Sequence, residues 1–316
     1  MEIVCKKSGY RVVIEDCLEV KKDETVLILT DDNKTSIGKS LYEEAKIFAK
    51  EAVLMVMEPR KVSGEEPPEA VAEAMKAFDV ILCPTSTSIT HTNAKMNAVD
   101  AGARLASMPG ITEEMFHEGA ITADYKKVEE LTLRLTEILS HAKTAKVIKG
   151  SYSLEMSLAG RKGIASTGIY KNPGESGNLP SGEAYIAPVE GSAHGEMLVD
   201  GSMVGVGILE IPLYMKIVDG RLVEVRGKDR EKIEVLFDNE RNGTLGELGI
   251  GTNHAARLTG VILEDEKIYG TVHIAFGTNT SFGGVNKADC HLDGVIINPT
   301  LYLDDLLVLK DGKMMI

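Results

Sequence analysis

The chain has 316 residues, 43% of them hydrophobic, a mean hydropathy of −0.03 and a net charge of −13 at pH 7. That is enough apolar surface for real cores and more length than the commonest single domain, so two domains are expected. The acidic balance, with no Lys/Arg cluster interleaved with aromatics, excludes nucleic-acid binding, and no apolar run reaches membrane-spanning length.

Met-Glu-Ile-Val-Cys-Lys-Lys at the start lacks an apolar leader segment. Cys5, Cys17, Cys83 and Cys290 are far apart with no C-x-x-C, which fits a reducing compartment and a cytoplasmic enzyme. Thr-Val-Leu-Ile-Leu-Thr at residues 25–30 reads as a buried strand, and residues 37–52 as a helix with Ile37, Leu41, Ala45 and Phe48 on one face. A strand at 52–57, a helix at 67–78 and a strand at 80–83 continue the alternation. Helices are expected at 91–107 and 125–147, the latter carrying Val128, Leu131, Leu135, Ile138 and Leu139 at helical spacing. Strand, helix, strand at these intervals means a parallel sheet, so residues 1–150 read as a Rossmann-like α/β domain. Ile37-Gly38-Lys39-Ser40 looks like the tail of a phosphate-binding loop, but Asn33 stands where that loop needs glycine and no G-x-G-x-x-G follows a strand. No nucleotide is expected.

Beyond Lys149-Gly150 helical periodicity fades and glycine becomes frequent, so residues 151–316 read as a β-rich α+β domain. Residues 172–180, Asn-Pro-Gly-Glu-Ser-Gly-Asn-Leu-Pro, are too rich in breakers to be regular. Strands are expected at 183–187, 196–199, 213–218, 222–225 and 267–276, with a hairpin turn at Asp219-Gly220 and a short helix at 229–239.

The chemistry concentrates here. Residues i and i+2 of a strand share a face, so His291 and Asp293 point the same way and can meet His273, inside Thr-Val-His-Ile-Ala-Phe, across a sheet. Two imidazoles and a carboxylate make a borderline-soft divalent-metal site, and Glu247 could complete it. Three of the seven histidines (His254, His273 and His291) fall between Glu247 and Asp293. His254 and Arg257 follow a glycine-rich turn beside Glu247, and Arg257 reads either as a clamp for a substrate carboxylate or as a surface ion-pairing residue. Cys290 points away from His291 and reads as buried and structural, His194 as a solvated turn residue, and Asp265-Glu-Lys267 as an ordinary turn.

Ser181-Gly-Glu-Ala-Tyr-Ile-Ala-Pro188, Leu245-Gly-Glu-Leu-Gly249, Thr271-Val-His-Ile-Ala-Phe-Gly277 and His291-Leu-Asp293 occur in the order seen in the aminopeptidase T and aminopeptidase S metallo-exopeptidases, which this chain resembles over most of residues 170–300. His91-Thr-Asn-Ala-Lys95 and Gly102-Ala-Arg-Leu-Ala-Ser-Met-Pro-Gly110 are similar to the related 2,5-dihydroxypyridine dioxygenases. The resemblance implies that Glu183, Glu247, His273, His291 and Asp293 bind or bridge two metal ions per chain (zinc, cobalt or manganese), with Glu190 as a rival to Glu183. It also implies a homodimer and hydrolytic release of N-terminal amino acids from small peptides by a metal-activated water. Glu247 and, from its place after the glycine-rich turn, Arg257 are the residues expected to act in catalysis. The family's catalytic tyrosine has no equivalent among Thr278-Asn-Thr-Ser-Phe282. That departure supports a second reading, in which His273, His291 and Asp293 hold one Fe(II) and the enzyme opens a dihydroxypyridine-like ring with O2. A third reading is a degenerate member that only binds metal.

Overall fold

The computed structural model describes residues 7–316, so Cys5 lies outside the described residues. The chain forms two compact units. The first runs to Lys126 and takes in Gly168–Ser181; the second comprises Lys127–Thr167 and Gly182–Ile316. A single break at residue 150 therefore does not describe it. The helix Tyr125–His141 places Leu135 and Leu139 in the core of the second unit, and this draws the crossing point upstream.

In the first unit β1 (Thr25–Asp31), β2 (Glu51–Met57), β3 (Val80–Thr85) and β4 (Arg104–Pro109) form a parallel sheet in the order β2-β1-β3-β4. Leu27, Leu29, Ile81, Cys83 and Leu105 meet Val71, Met75, Ala94 and Ala98 from the helices in one core. The expected helix at 91–107 stops at Asp100: Gly102 takes a φ of 103°, and the apolar run that follows pairs with β3 as β4. The breaker-rich segment is not wholly irregular either. Ser176–Asn178 adds to β4 as a parallel edge strand. Ile37-Gly38-Lys39-Ser40 lies inside the helix Thr35–Phe48, where Gly38 packs against Thr30 of β1 rather than opening a phosphate loop.

Among the described residues the second unit holds two antiparallel sheets, of eight and seven strands. The helix expected over 125–147 ends at His141, and residues 144–149 form a strand of the larger sheet. Asp304 fixes that change of structure: its Oδ1 accepts from the amides of Lys143 at 3.0 Å and Thr144 at 2.9 Å. Asp219 and Gly220, at φ 49° and 75°, make the hairpin turn between Leu213–Val218 and Arg221–Arg226. Residues 230–237 form two short 3-10 turns that meet in a kink at Ile233.

Candidate metal centre

Four neighbouring strands of the seven-stranded sheet build the site: β5 (Glu183–Ile186), β6 (Leu245–Gly251), β7 (Val272–Gly277) and β8 (His291–Ile296). The strand expected at 267–276 begins only at Val272, because Gly270, at φ 80°, ends a turn there. Ala184, Ile186, Leu248, Ile250, Ile274, Phe276 and Leu292 face the apolar core between the two sheets. The alternate residues must face the other way. Register aligns them: Glu183 opposes Gly251, Gly249 opposes His273, Glu247 opposes Ala275, and Ala275 and Gly277 oppose Asp293 and His291. All five side chains expected at the site thus share one sheet face.

Gly249 makes this possible. A Cβ there would run into the His273 imidazole, so the ring lies over bare backbone. From that seat His273 Nε2 stands 3.4 Å from both Glu183 Oε2 and Glu247 Oε1, and His291 Nε2 is 3.2 Å from Glu247 Oε2 and 3.5 Å from Asp293 Oδ1. His273 is fully buried, and Glu183, Glu247 and Asp293 nearly so. His291 donates Nδ1–H to the Thr278 carbonyl at 2.8 Å, which turns Nε2 toward the carboxylates. Burial pushes the Glu247 carboxyl up, but its bonds with His273 and His291 outweigh that and hold it well below the usual range. Burial lowers His273, yet the contact with Glu247 and the charges of Glu183 and Glu266 bring it up to about 9.

The donors fit a divalent ion. Glu247, His273 and Asp293 offer atoms within 4.8 Å of one another, and so do Glu183, Glu266 and His273. His273 Nδ1 and Glu183 Oε2 are buried with no hydrogen-bond partner among the described residues. Carboxylate oxygens and imidazole nitrogens in this number suit zinc, manganese or iron rather than a thiolate-seeking metal. Cys290 is half-buried rather than buried and packs at the margin of the core.

Glu266 and Lys267 are the residues that the sequence reading missed. The run Asp265-Glu-Lys267 is not an ordinary turn. Asp265 is fully buried and accepts from the amides of Thr259 at 2.7 Å and Gly260 at 2.9 Å. Lys267, also fully buried, donates to Glu183 Oε1 at 2.6 Å and to Glu266 Oε1. Burial lowers its basicity, but the two carboxylates more than restore it and keep the amine charged.

Glu190, the rival to Glu183, is engaged elsewhere. It pairs with Arg161 and accepts from Asn279 Nδ2 and the Val285 amide, both at 2.8 Å, so it pins the loop before β8. His254 is exposed, and His194 is the exposed first residue of a strand rather than a turn residue. Arg257 is half-buried, with its amide bonded to Glu264 at 3.3 Å. Beside the cluster stand two aromatic rings. Tyr185, two residues from Glu183 on the same strand face, meets Phe282 edge-on at 5.4 Å, and Phe282 meets His291 at 6.0 Å.

The solved 2,5-dihydroxypyridine dioxygenase from Pseudomonas putida shares the fold at a TM-score of 0.79 and 19% identity, over 97% of this chain and 96% of that one. Wild-type AmpT from Thermus thermophilus shares it at 0.73 and 17%, over 98% of each. In sequence, 171 residues are 29% identical to the 2,5-dihydroxypyridine 5,6-dioxygenase of Pseudomonas putida, 48% of each protein, so the match spans about half the length of that relative. The family described as NicX, 2,5-dihydroxypyridine 5,6-dioxygenase, matches residues 8–316 and so covers both units and every donor named above. The kinship with AmpT is one of fold, and the chain belongs to the NicX family.

Proposed function

We propose that this protein is a metal-dependent ring-cleaving dioxygenase acting on a dihydroxylated pyridine or a closely similar aromatic. The observation that carries the reading is the placement of His273, His291 and Asp293 on adjacent strands of one sheet face in a chain of this family. These three residues would hold a single ferrous ion. A ferrous ion held by these residues would supply the redox chemistry by which both atoms of O2 enter the opened ring.

The chain's own groups do the rest. The Thr278 carbonyl fixes the His291 tautomer, and Glu247, ionised between the two imidazoles, orients both. Tyr185 and Phe282 offer aromatic edges to a flat ring, and Gly249, between Tyr185 and His273 in register, leaves the space that the His273 imidazole occupies. Arg257 is the candidate partner for an anionic substituent.

The second reading is a two-metal aminopeptidase. It is favoured by the second donor group, Glu183, Glu266 and His273, which shares His273 with the first. One experiment separates the two. Protein loaded anaerobically with Fe(II) should consume O2 in proportion to loss of 2,5-dihydroxypyridine and leave an aminoacyl amide intact. Amide cleavage that proceeds equally without air, given zinc, manganese or cobalt, and that stops when the substrate amine is acetylated would replace the dioxygenase with the hydrolase.

A further inference from the structure

We infer that Lys267 is a built-in cation that takes the place of a second metal ion and so sets the metal count of this chain at one. The inference rests on reading the cluster as a metal site, and deepens it by assigning a role to the buried amine beside it.

The two donor groups share His273, and each has the composition that a divalent ion needs. The group containing Glu183 and Glu266 carries a cation of its own. Lys267 Nζ is 2.6 Å from Glu183 Oε1 and bonds Glu266 Oε1 as well, from a side chain with no exposure to solvent. Glu183 divides its oxygens, one to Lys267 and the other toward His273 at 3.4 Å. An ammonium withdrawn from water to this extent is retained only where carboxylates replace its hydration. A divalent ion entering the same pair of oxygens would meet a fixed positive charge within contact distance, in surroundings that screen it poorly. Glu247 and Asp293, which with His273 make the other group, instead contact imidazoles that would themselves ligate. The carboxylates that look like a second metal site are thus neutralised from within the chain.

The test is a metal count on the full-length protein. Wild-type protein and Lys267→Ala, each equilibrated with Co(II) or Zn(II) and freed of excess by dialysis, are analysed for metal per chain, with folding checked by circular dichroism. The wild type should hold one ion and Lys267→Ala two. Adding Glu266→Gln to the variant should return the count to one. With Mn(II), the variant should also give the electron paramagnetic resonance signal of a coupled pair, which the wild type lacks. A folded Lys267→Ala that stays at one ion would overturn the role of Lys267 while leaving the metal site intact. No ion in either protein would instead remove the metal reading itself. Two ions in the wild type would overturn the inference however the variant folds, and one there supports it independently of the variant.

Discussion

Gly249→Ala adds one methyl group where the His273 imidazole now lies, and β6 cannot yield because Leu248 and Ile250 on either side are locked in the core. The ring must move instead. Metal affinity should fall on the order of 10- to 100-fold, as when a group that orients a ligand is lost. The overpacking should cost about 1–3 kcal/mol of stability. Isothermal titration with Zn(II) and a urea melt would measure both, and unchanged affinity would mean that the ring position is not what the metal reads. At this scale the site was partly legible. Glu247, His273, His291 and Asp293 stand at strand positions whose alternation reveals a shared face, and Glu183 came through resemblance. Glu266 and Lys267 were hidden because a charged run between glycines reads as solvated, and nothing local shows that Lys267 is turned inward onto Glu183.

At the scale of elements, β4 is anchored by one ion pair. Arg104, at its first position and almost fully buried, donates to both oxygens of Glu24, at 2.7 and 2.8 Å, and to the Leu18 carbonyl at 2.9 Å. The guanidinium holds the Glu24 carboxyl below its ordinary 4.5. A depressed folded-state value means that this stabilisation is complete above the unfolded pKa and is lost as pH falls through the folded one. Glu24→Gln should therefore cost about 3 kcal/mol near pH 7, since it strands a buried charge, and progressively less in acid. Denaturation curves at pH 7 and pH 3 check this, and a pH-independent difference would remove the ion pair from the account. The sequence foretold β1 and β3 closely, because buried apolar runs are their own signal. It extended two helices too far, through residues 107 and 147, because neither Gly102 nor the bond that the Thr144 amide donates to Asp304 shows in apolar periodicity.

For the whole molecule, the change of grammar near residue 150 was visible, but the exchange of segments was not: residues 168–181 return to the first unit through pairing of Ser176–Asn178 with β4, a contact made across some seventy positions of sequence. Each unit nevertheless has its own apolar core, Leu27, Ile81 and Leu105 in one and Leu248, Ile274 and Met197 in the other. The candidate donors all belong to the second. A ligand that binds only the folded form raises stability by about 2.7 kcal/mol at a hundred times its dissociation constant, and amides that exchange through unfolding slow by roughly 100-fold. Saturating metal should therefore slow hydrogen exchange in Val272–Gly277 and His291–Ile296 by about that factor, while the amides of Thr25–Asp31 and Val80–Thr85 keep their metal-free rates. Exchange mass spectrometry on the intact chain, with and without added metal, resolves both sets. Equal slowing in both units would show that they unfold as one, and no slowing in β7 or β8 would show that the metal is held elsewhere.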